Sequence, residues 1–200
     1  MSYHPQSRRV FLASLLGLAA LPALGIKPSL AMSSLLARMR GGGNVVYFRH
    51  GATTWSGIDQ IDWPRERQRL LSDEGIRQSQ VIGAAFRASG IPVGEVLASP
   101  FARCRDMAEI AFGRVEERME LMGLLSNDAG RAERAAFLHA LLVGPPTDGT
   151  NSIIVSHRSN IETVAGVRLA EGEAVVVNSN GNGAFDVEQT LMPDEWRTIS

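Results

Sequence analysis

Asn44-Val45-Val46-Tyr47-Phe48-Arg49-His50-Gly51 is the stretch on which the reading of this chain turns. Asn44 to Phe48 is a β-branched and aromatic run of the length of one buried strand. Gly41-Gly42-Gly43 breaks the chain in front of it, after a short helix expected over Ser33 to Arg40. At its far end the run delivers an arginine, a histidine and then a glycine, whose missing Cβ lets backbone approach a ligand closely.

Downstream, strand-like and helix-like segments alternate. A polar stretch from Gly51 to Arg69 shows no period and reads as a loop lying over something. Ser72-Asp73-Glu74 opens a helix with a capping serine and two acids suited to the positive helix end. Ile76, Ser79, Ile82, Gly83 and Phe86 share one face of it, and Ser89-Gly90 ends it. Val93 to Ala98 is a second strand. Ser99-Pro100 reads as N-cap and first residue of a helix that runs to Phe112 and closes at Gly113. Val115 to Leu121 is a candidate third strand of modest apolar content. A helix over Gly130 to Val143 places Ala135, Leu138, Leu141 and Leu142 along one side and stops at Pro145-Pro146. Ser152 to Ser156 is a fourth strand, and Glu173 to Val177 pairs with Ala184 to Leu191 across an Asn/Gly-rich turn, Asn178 to Gly183. The alternation predicts an α/β fold, a mostly parallel sheet between two helix layers, with the ligand beyond the carboxyl ends of the strands.

Three such ends converge there. The first strand runs into Arg49-His50, the fourth into His157-Arg158, and the second into Ser99-Pro100, followed one turn later by Arg103. Arginine offers a planar fork of donors that matches two phosphate oxygens. Histidine can act as a nucleophile that splits one hard displacement into two easier ones. Taken alone, an Arg-His pair after a strand is more often structural; its convergence with the other two segments turns the reading toward phosphoryl transfer. Arg105 reads as a solvated or supporting arginine, His139 as a packing residue on the shoulder of an apolar helix face, and Cys104 as a half-buried helix residue. Trp55 and Trp63 are open between pocket lids and loop anchors.

These segments resemble the histidine phosphatase superfamily, the phosphoglycerate mutase-like proteins. Arg49-His50-Gly51-Ala52-Thr53 is similar to its R-H-G-x-[T/S] signature, Leu71-Ser72-Asp73-Glu74-Gly75 to its L-S-x-x-G helix opening, Ser99 to Arg103 to its S-P-x-x-R segment, and Ile154-Val155-Ser156-His157 to its second histidine. The resemblance implies a three-layer α/β/α sandwich without metal or organic cofactor. It also implies His50 as phosphate acceptor, Arg49 and Arg103 as phosphoryl ligands, His157 as a further donor to that group, and Gly51 and Thr53 beside the substrate. A general acid is expected after the third strand, where Glu120 and Asp128 both qualify and Glu120 is preferred. Arg158 stands where glycine is common, Met107 where threonine is, Ala52 in place of a frequent glutamate, and Ser56 where mutase-like members often have asparagine. The last two weigh against a sugar-phosphate mutase. The implied activity is hydrolysis of a phosphomonoester or phosphoramidate, on a small molecule or a phosphoprotein. The alternatives are a degenerate phosphate-binding protein and a phosphomutase.

The amino-terminal 31 residues read differently from the rest. Ser7-Arg8-Arg9-Val10-Phe11-Leu12 precedes an apolar run to Ile26 and a small-residue site, Ser29-Leu30-Ala31, the order of an export signal. It is similar to a twin-arginine signal, which implies the twin-arginine machinery as partner and a periplasmic domain over residues 32–200. Removing residues 1–31 leaves 169 of the 200 residues, with 17 basic against 21 acidic side chains, a net charge of −4. No polycationic surface for nucleic acid is expected, and membrane contact only through the signal. A single cysteine excludes an internal disulfide.

Overall fold

A computed structural model describes residues 30–124, 129–180 and 182–198. In chain order the elements are α1 (Leu30–Gly41), β1 (Asn44–Arg49), α2 (Asp73–Ser89), β2 (Val93–Ala98), α3 (Ala102–Phe112), β3 (Glu116–Glu117), α4 (Arg131–Val143), β4 (Asn151–Ser156), α5 (Arg158–Ala165), β5 (Ala174–Ser179) and β6 (Phe185–Leu191). Among the described residues the strands form one sheet in the order β3-β2-β4-β1-β5-β6. The pairings from β3 across to β1 are parallel, while β1–β5 and β5–β6 are antiparallel.

The apolar run of β1 is explained by cover on both faces. Val46 and Phe48 point into one cluster with Leu35 and Met39 of α1, Ile82 and Phe86 of α2, and Met107 of α3. Val45 and Tyr47 point into a second cluster with Leu138 and Leu142 of α4 and Ile161 of α5. The fold is therefore the expected three-layer α/β/α sandwich. Trp196, fully buried, closes the first layer against Phe86 and Phe48, with ring centroids 5.0 and 5.9 Å apart.

Several boundaries differ from the sequence expectation. The helix expected over Ser33 to Arg40 begins at Leu30 and buries Met32 as well as Leu35 and Met39. The third strand shrinks to two exposed residues paired with β2, because the chain turns at Met119–Leu121 to bury Leu121 in the second cluster. Ile76 is 37% exposed, and the buried stripe of α2 is filled by Gly75, Gln78, Ser79, Ile82, Gly83 and Phe86. α3 is capped from outside: Ser99 is not its N-cap, Phe101 holds that position without a side-chain bond, and the first N–H, of Ala102, donates to Gln68 Oε1 at 3.1 Å. α5 forms in the polar segment after His157, where the sequence pattern signals no helix. The terminal pair runs over Ala174–Ser179 and Phe185–Leu191, and residue 181 of its turn lies outside the described residues.

α2 and α3 meet where Gly83 faces the last turn of α3. A Cβ on Gly83 would stand 2.3 Å from the Ala111 carbonyl oxygen and 2.8 Å from Ala111 Cα, both backbone atoms. Gly83→Ala is therefore expected to destabilise the fold by about 1–3 kcal/mol, the range for overpacking a fitted contact. Urea denaturation measures this, and a loss below about 0.5 kcal/mol would mean the helices separate freely.

Candidate active site

Parallel pairing brings the carboxyl ends of β1, β2 and β4 to one edge, and backbone hydrogen bonds continue past the strands to align the residues beyond them. The His50 N–H donates to the Ser156 carbonyl at 3.0 Å, and the Ser99 N–H to the Val155 carbonyl at 3.0 Å. His50, Ser99 and His157 are thereby set side by side, with the two imidazole centroids 5.7 Å apart.

Both histidines are buried. His50 Nδ1 lies 2.9 Å from the carbonyl oxygen of Gly51. A carbonyl only accepts, so Nδ1 holds the proton and Nε2 keeps its lone pair. His157 Nε2 lies 2.8 Å from Ser99 Oγ, and its Nδ1 lies 3.4 Å from Nη2 of Arg103. Arginine only donates, so the neutral ring that suits both neighbours carries its proton on Nε2, toward Ser99. The His157 carbonyl also accepts from the Tyr47 hydroxyl at 2.7 Å. Burial, and next the Arg103 guanidinium, hold His50 well below the usual histidine range, with the Gly51 contact opposing. For His157 the causes are burial, then Arg103, then His50. Both rings are therefore neutral near neutral pH, the state a nitrogen nucleophile requires.

The arginines are held from behind. Arg49 donates from Nη1 to the Leu169 carbonyl and from Nη2 to Glu171, both at 3.1 Å. Arg103 Nη1 contacts both oxygens of Asp59, at 2.9 and 2.8 Å, in an ion pair whose side chains are 6% and 2% exposed. The Nε atoms of both arginines are buried without a hydrogen-bond partner among the described residues. Arg69 donates to the Trp55 and Gly57 carbonyls and to Thr53 Oγ1. These residues surround a cavity of about 430 Å³ whose wall contains Arg49, Arg69, Arg103 and Arg158 against two carboxylates, Asp59 and Glu162. The excess of cation over carboxylate suits an anionic ligand. Ile58, Ile61, Phe101 and Met122 add an apolar side. Among the described residues no group of three or more His, Cys, Asp or Glu side chains is placed to hold a metal ion.

Arg49, His50, Arg103 and His157 are thus brought together, and Arg158 joins them at the rim. Glu120 is not: it is exposed in the turn Met119–Leu121 and absent from the cavity wall, because that turn points Leu121 inward. Asp128 lies outside the described residues. Gly51 and Thr53 stand behind the wall rather than in it. A Cβ on Gly51 would meet Gly75 Cα at 3.1 Å, so this glycine serves contact with α2, and Thr53 receives Arg69. Cys104 is fully buried rather than half-buried, and burial pushes its thiol up to about 12. Arg105 pairs with Glu117, and His139 rests edge-on against Phe185. Trp63 lies under Arg67, and neither Trp55 nor Trp63 lines the cavity. Sequence reasoning missed Asp59, Arg69 and Glu162. No motif surrounds them: Asp59 and Arg69 lie in the aperiodic loop, which offered only its length as a signal, and Glu162 lies in α5.

Residues 45–140 match the model of the histidine phosphatase superfamily, branch 1, a span that includes Arg49, His50 and Arg103 and stops before His157. No curated protein matches the chain. Among solved structures, the protein histidine phosphatase SixA complexed with tungstate is similar with a TM-score of 0.58 at 18% identity, over 76% of this chain and 98% of that one. A protein described as an alpha-ribazole-5'-P phosphatase, from Escherichia coli, gives 0.56 at 16% over 73% and 95%. A phosphoserine phosphatase from Entamoeba histolytica in complex with 3-phosphoglyceric acid gives 0.54 at 14% over 74% and 95%. At these identities the likeness is one of fold.

The depressed histidines set a pH dependence. Their folded pKa values lie below the usual 6.5, so between those values and 6.5 the unfolded chain binds more protons than the folded one. Stability of the ligand-free protein is then expected to fall as pH drops below 6.5, by up to about 1.4 kcal/mol per pH unit for each ring. His50→Gln and His157→Asn should each flatten that slope in urea titrations from pH 7 to about 5. Unchanged slopes in both variants would show that the rings titrate alike in folded and unfolded chains.

Proposed function

We infer that this chain belongs to the histidine phosphatase superfamily, branch 1, and is a phosphatase that hydrolyses a phosphomonoester or phosphoramidate through a phosphohistidine on His50. The observation that supports this best is the Nδ1 contact to Gly51, which commits His50 Nε2 as the free lone pair in a cavity bordered by Arg49, Arg103 and His157. In the first step Nε2 attacks phosphorus and the bond from phosphorus to the leaving oxygen or nitrogen breaks, its electron pair going to the leaving group. In the second, water attacks phosphorus, the P–N bond breaks, the electron pair returns to Nε2, and inorganic phosphate is released. The arginines offset the charge on the phosphoryl oxygens in both steps.

The proton for the leaving group has no evident source among the described carboxylates. Glu120 lies outside the cavity wall, Asp59 is engaged by Arg103, and Glu162 lies between Arg158 and Arg168 at 3.6 and 3.5 Å. Asp128, the other candidate for that proton, lies outside the described residues. Residues 1–31 serve in this reading as a twin-arginine export signal, placing the domain in the periplasm. A cut after Ala31 leaves Met32, Leu35 and Met39 in the core, which is compatible with it.

His50→Ala should fold, lose turnover by on the order of 10⁴-fold or more, and no longer trap acid-labile phosphate on the protein. Arg49→Ala and Arg103→Ala should each weaken tungstate binding and kcat/KM together. Near-native hydrolysis of p-nitrophenyl phosphate by His50→Ala would remove the nucleophile assignment, and oxyanion binding without any turnover of the wild type would make this a binding protein. Glu120→Gln is expected to change aryl and alkyl ester hydrolysis alike, by under about threefold. A loss near 10²-fold confined to alkyl esters would restore Glu120 as general acid. For export, periplasmic protein of intact mass beginning at Met1, or unchanged export of the Arg8→Lys, Arg9→Lys double variant, would end that proposal.

A further inference from the structure

We propose that Asp59 is a positioning residue: it holds Arg103 by Nη1 so that the opposite edge of the guanidinium, Nε and Nη2, stays open to receive two phosphoryl oxygens. The inference rests on the phosphatase reading and adds to it a residue from the loop between β1 and α2.

The geometry is asymmetric in a useful way. Both Asp59 oxygens approach a single nitrogen of Arg103, at 2.9 and 2.8 Å, rather than spreading across its fork. Nε and Nη2 form the side edge of a guanidinium, whose two parallel N–H groups match a pair of oxygens on one anion. On that edge Nε is buried with no partner among the described residues, and Nη2 has only the 3.4 Å approach to His157 Nδ1. A buried donor without a partner is costly, and at a cavity wall the economical explanation is a ligand that supplies the acceptor. Asp59 is itself fixed, since Oδ2 accepts the Arg69 N–H at 2.9 Å. Its burial at 2% side-chain exposure leaves the carboxylate little freedom except to face Arg103.

Asp59 also offsets the charge of Arg103 in the free protein. A carboxylate there moderates the repulsion among Arg103, Arg49 and Arg69 and lets the arginine sit at a fixed angle before substrate arrives. Without it the side chain would turn toward solvent, and a misplacement of about 1 Å at a reacting group can cost on the order of 10²-fold in rate.

A double-variant cycle tests this in the full chain: wild type, Asp59→Asn, Arg103→Gln and the pair, each measured for tungstate affinity by calorimetry and for kcat/KM on p-nitrophenyl phosphate. Asp59→Asn keeps an acceptor for the Arg69 N–H and should lower both readouts by roughly tenfold or more. In the Arg103→Gln background the same change should cost less than about twofold, because the residue through which it acts is gone. Equal losses in both backgrounds would overturn the proposal and make Asp59 a loop anchor. Tighter tungstate binding by Asp59→Asn would also overturn it, since the carboxylate would then be a competitor for the oxyanion. If Asp59→Asn does not fold, Asp59→Glu runs the same cycle, keeping the charge while displacing the guanidinium, and must meet the same criterion. A wild type that binds tungstate without turnover ends the phosphatase reading, while the affinity cycle still decides the role of Asp59. A wild type that does neither ends both.

Discussion

The site depends on one arrangement of backbone: β1 and β2 both parallel to β4, with the ladder carried one residue past each strand. The His50 N–H on the Ser156 carbonyl and the Ser99 N–H on the Val155 carbonyl set the height at which each functional residue leaves the sheet. A slip of one residue in β4 would exchange its two covered faces and move His157 off that edge. Such a slip is opposed at the other end of the sheet, where buried Asn151 accepts from Asn44 and donates to the Met39 and Pro92 carbonyls. The geometry of two imidazoles 5.7 Å apart is thus inherited from strand register, and packing of the rings themselves plays a secondary part.

Gathering cations at a buried edge has a cost that the fold meets with carboxylates and carbonyls from other elements. Glu171, just before β5, lies 3.1 Å from Arg49 and 3.5 Å from Arg69, while Asp59 meets Arg103. These partners stabilise the arginines without matching them charge for charge, so the wall retains a positive excess for an anion. The histidines respond in the opposite sense: with burial first and Arg103 second, their charged forms are disfavoured, and His50 keeps a lone pair where an exposed histidine would be partly protonated.

The same division decides how much of the site is legible in the sequence. Residues placed by strand ends are readable, because a buried strand declares itself by composition and its last residue declares where the chain exits. Arg49, His50 and His157 belong to this group, and Arg103 comes from a helix entered one turn later. Residues placed by packing against a distant segment are not readable. Ser99 has the chemistry of an N-cap, and in the structure that oxygen goes to His157 while Gln68 takes the helix N–H. Glu120 is favoured as acid by position alone, and the structure leaves it exposed outside the cavity wall because the third strand ends after two residues and the chain turns Leu121 inward. The motif glycine Gly51 is readable as a close approach, but the protein neighbour it meets, Gly75 of α2, is not.

The segment between β1 and α2 shows the same limit most fully. Its residues have no periodicity because they answer to several partners in turn: Arg65 to Asp106, Gln68 to the Ala102 N–H, Asp59 to Arg103, and Arg69 back to the loop's own carbonyls. The first three partners lie in the first two turns of α3. The loop therefore caps that helix, pairs with Arg103 and forms a wall of the cavity through Ile58 and Ile61. A loop with that many fixed contacts is architecture rather than a lid.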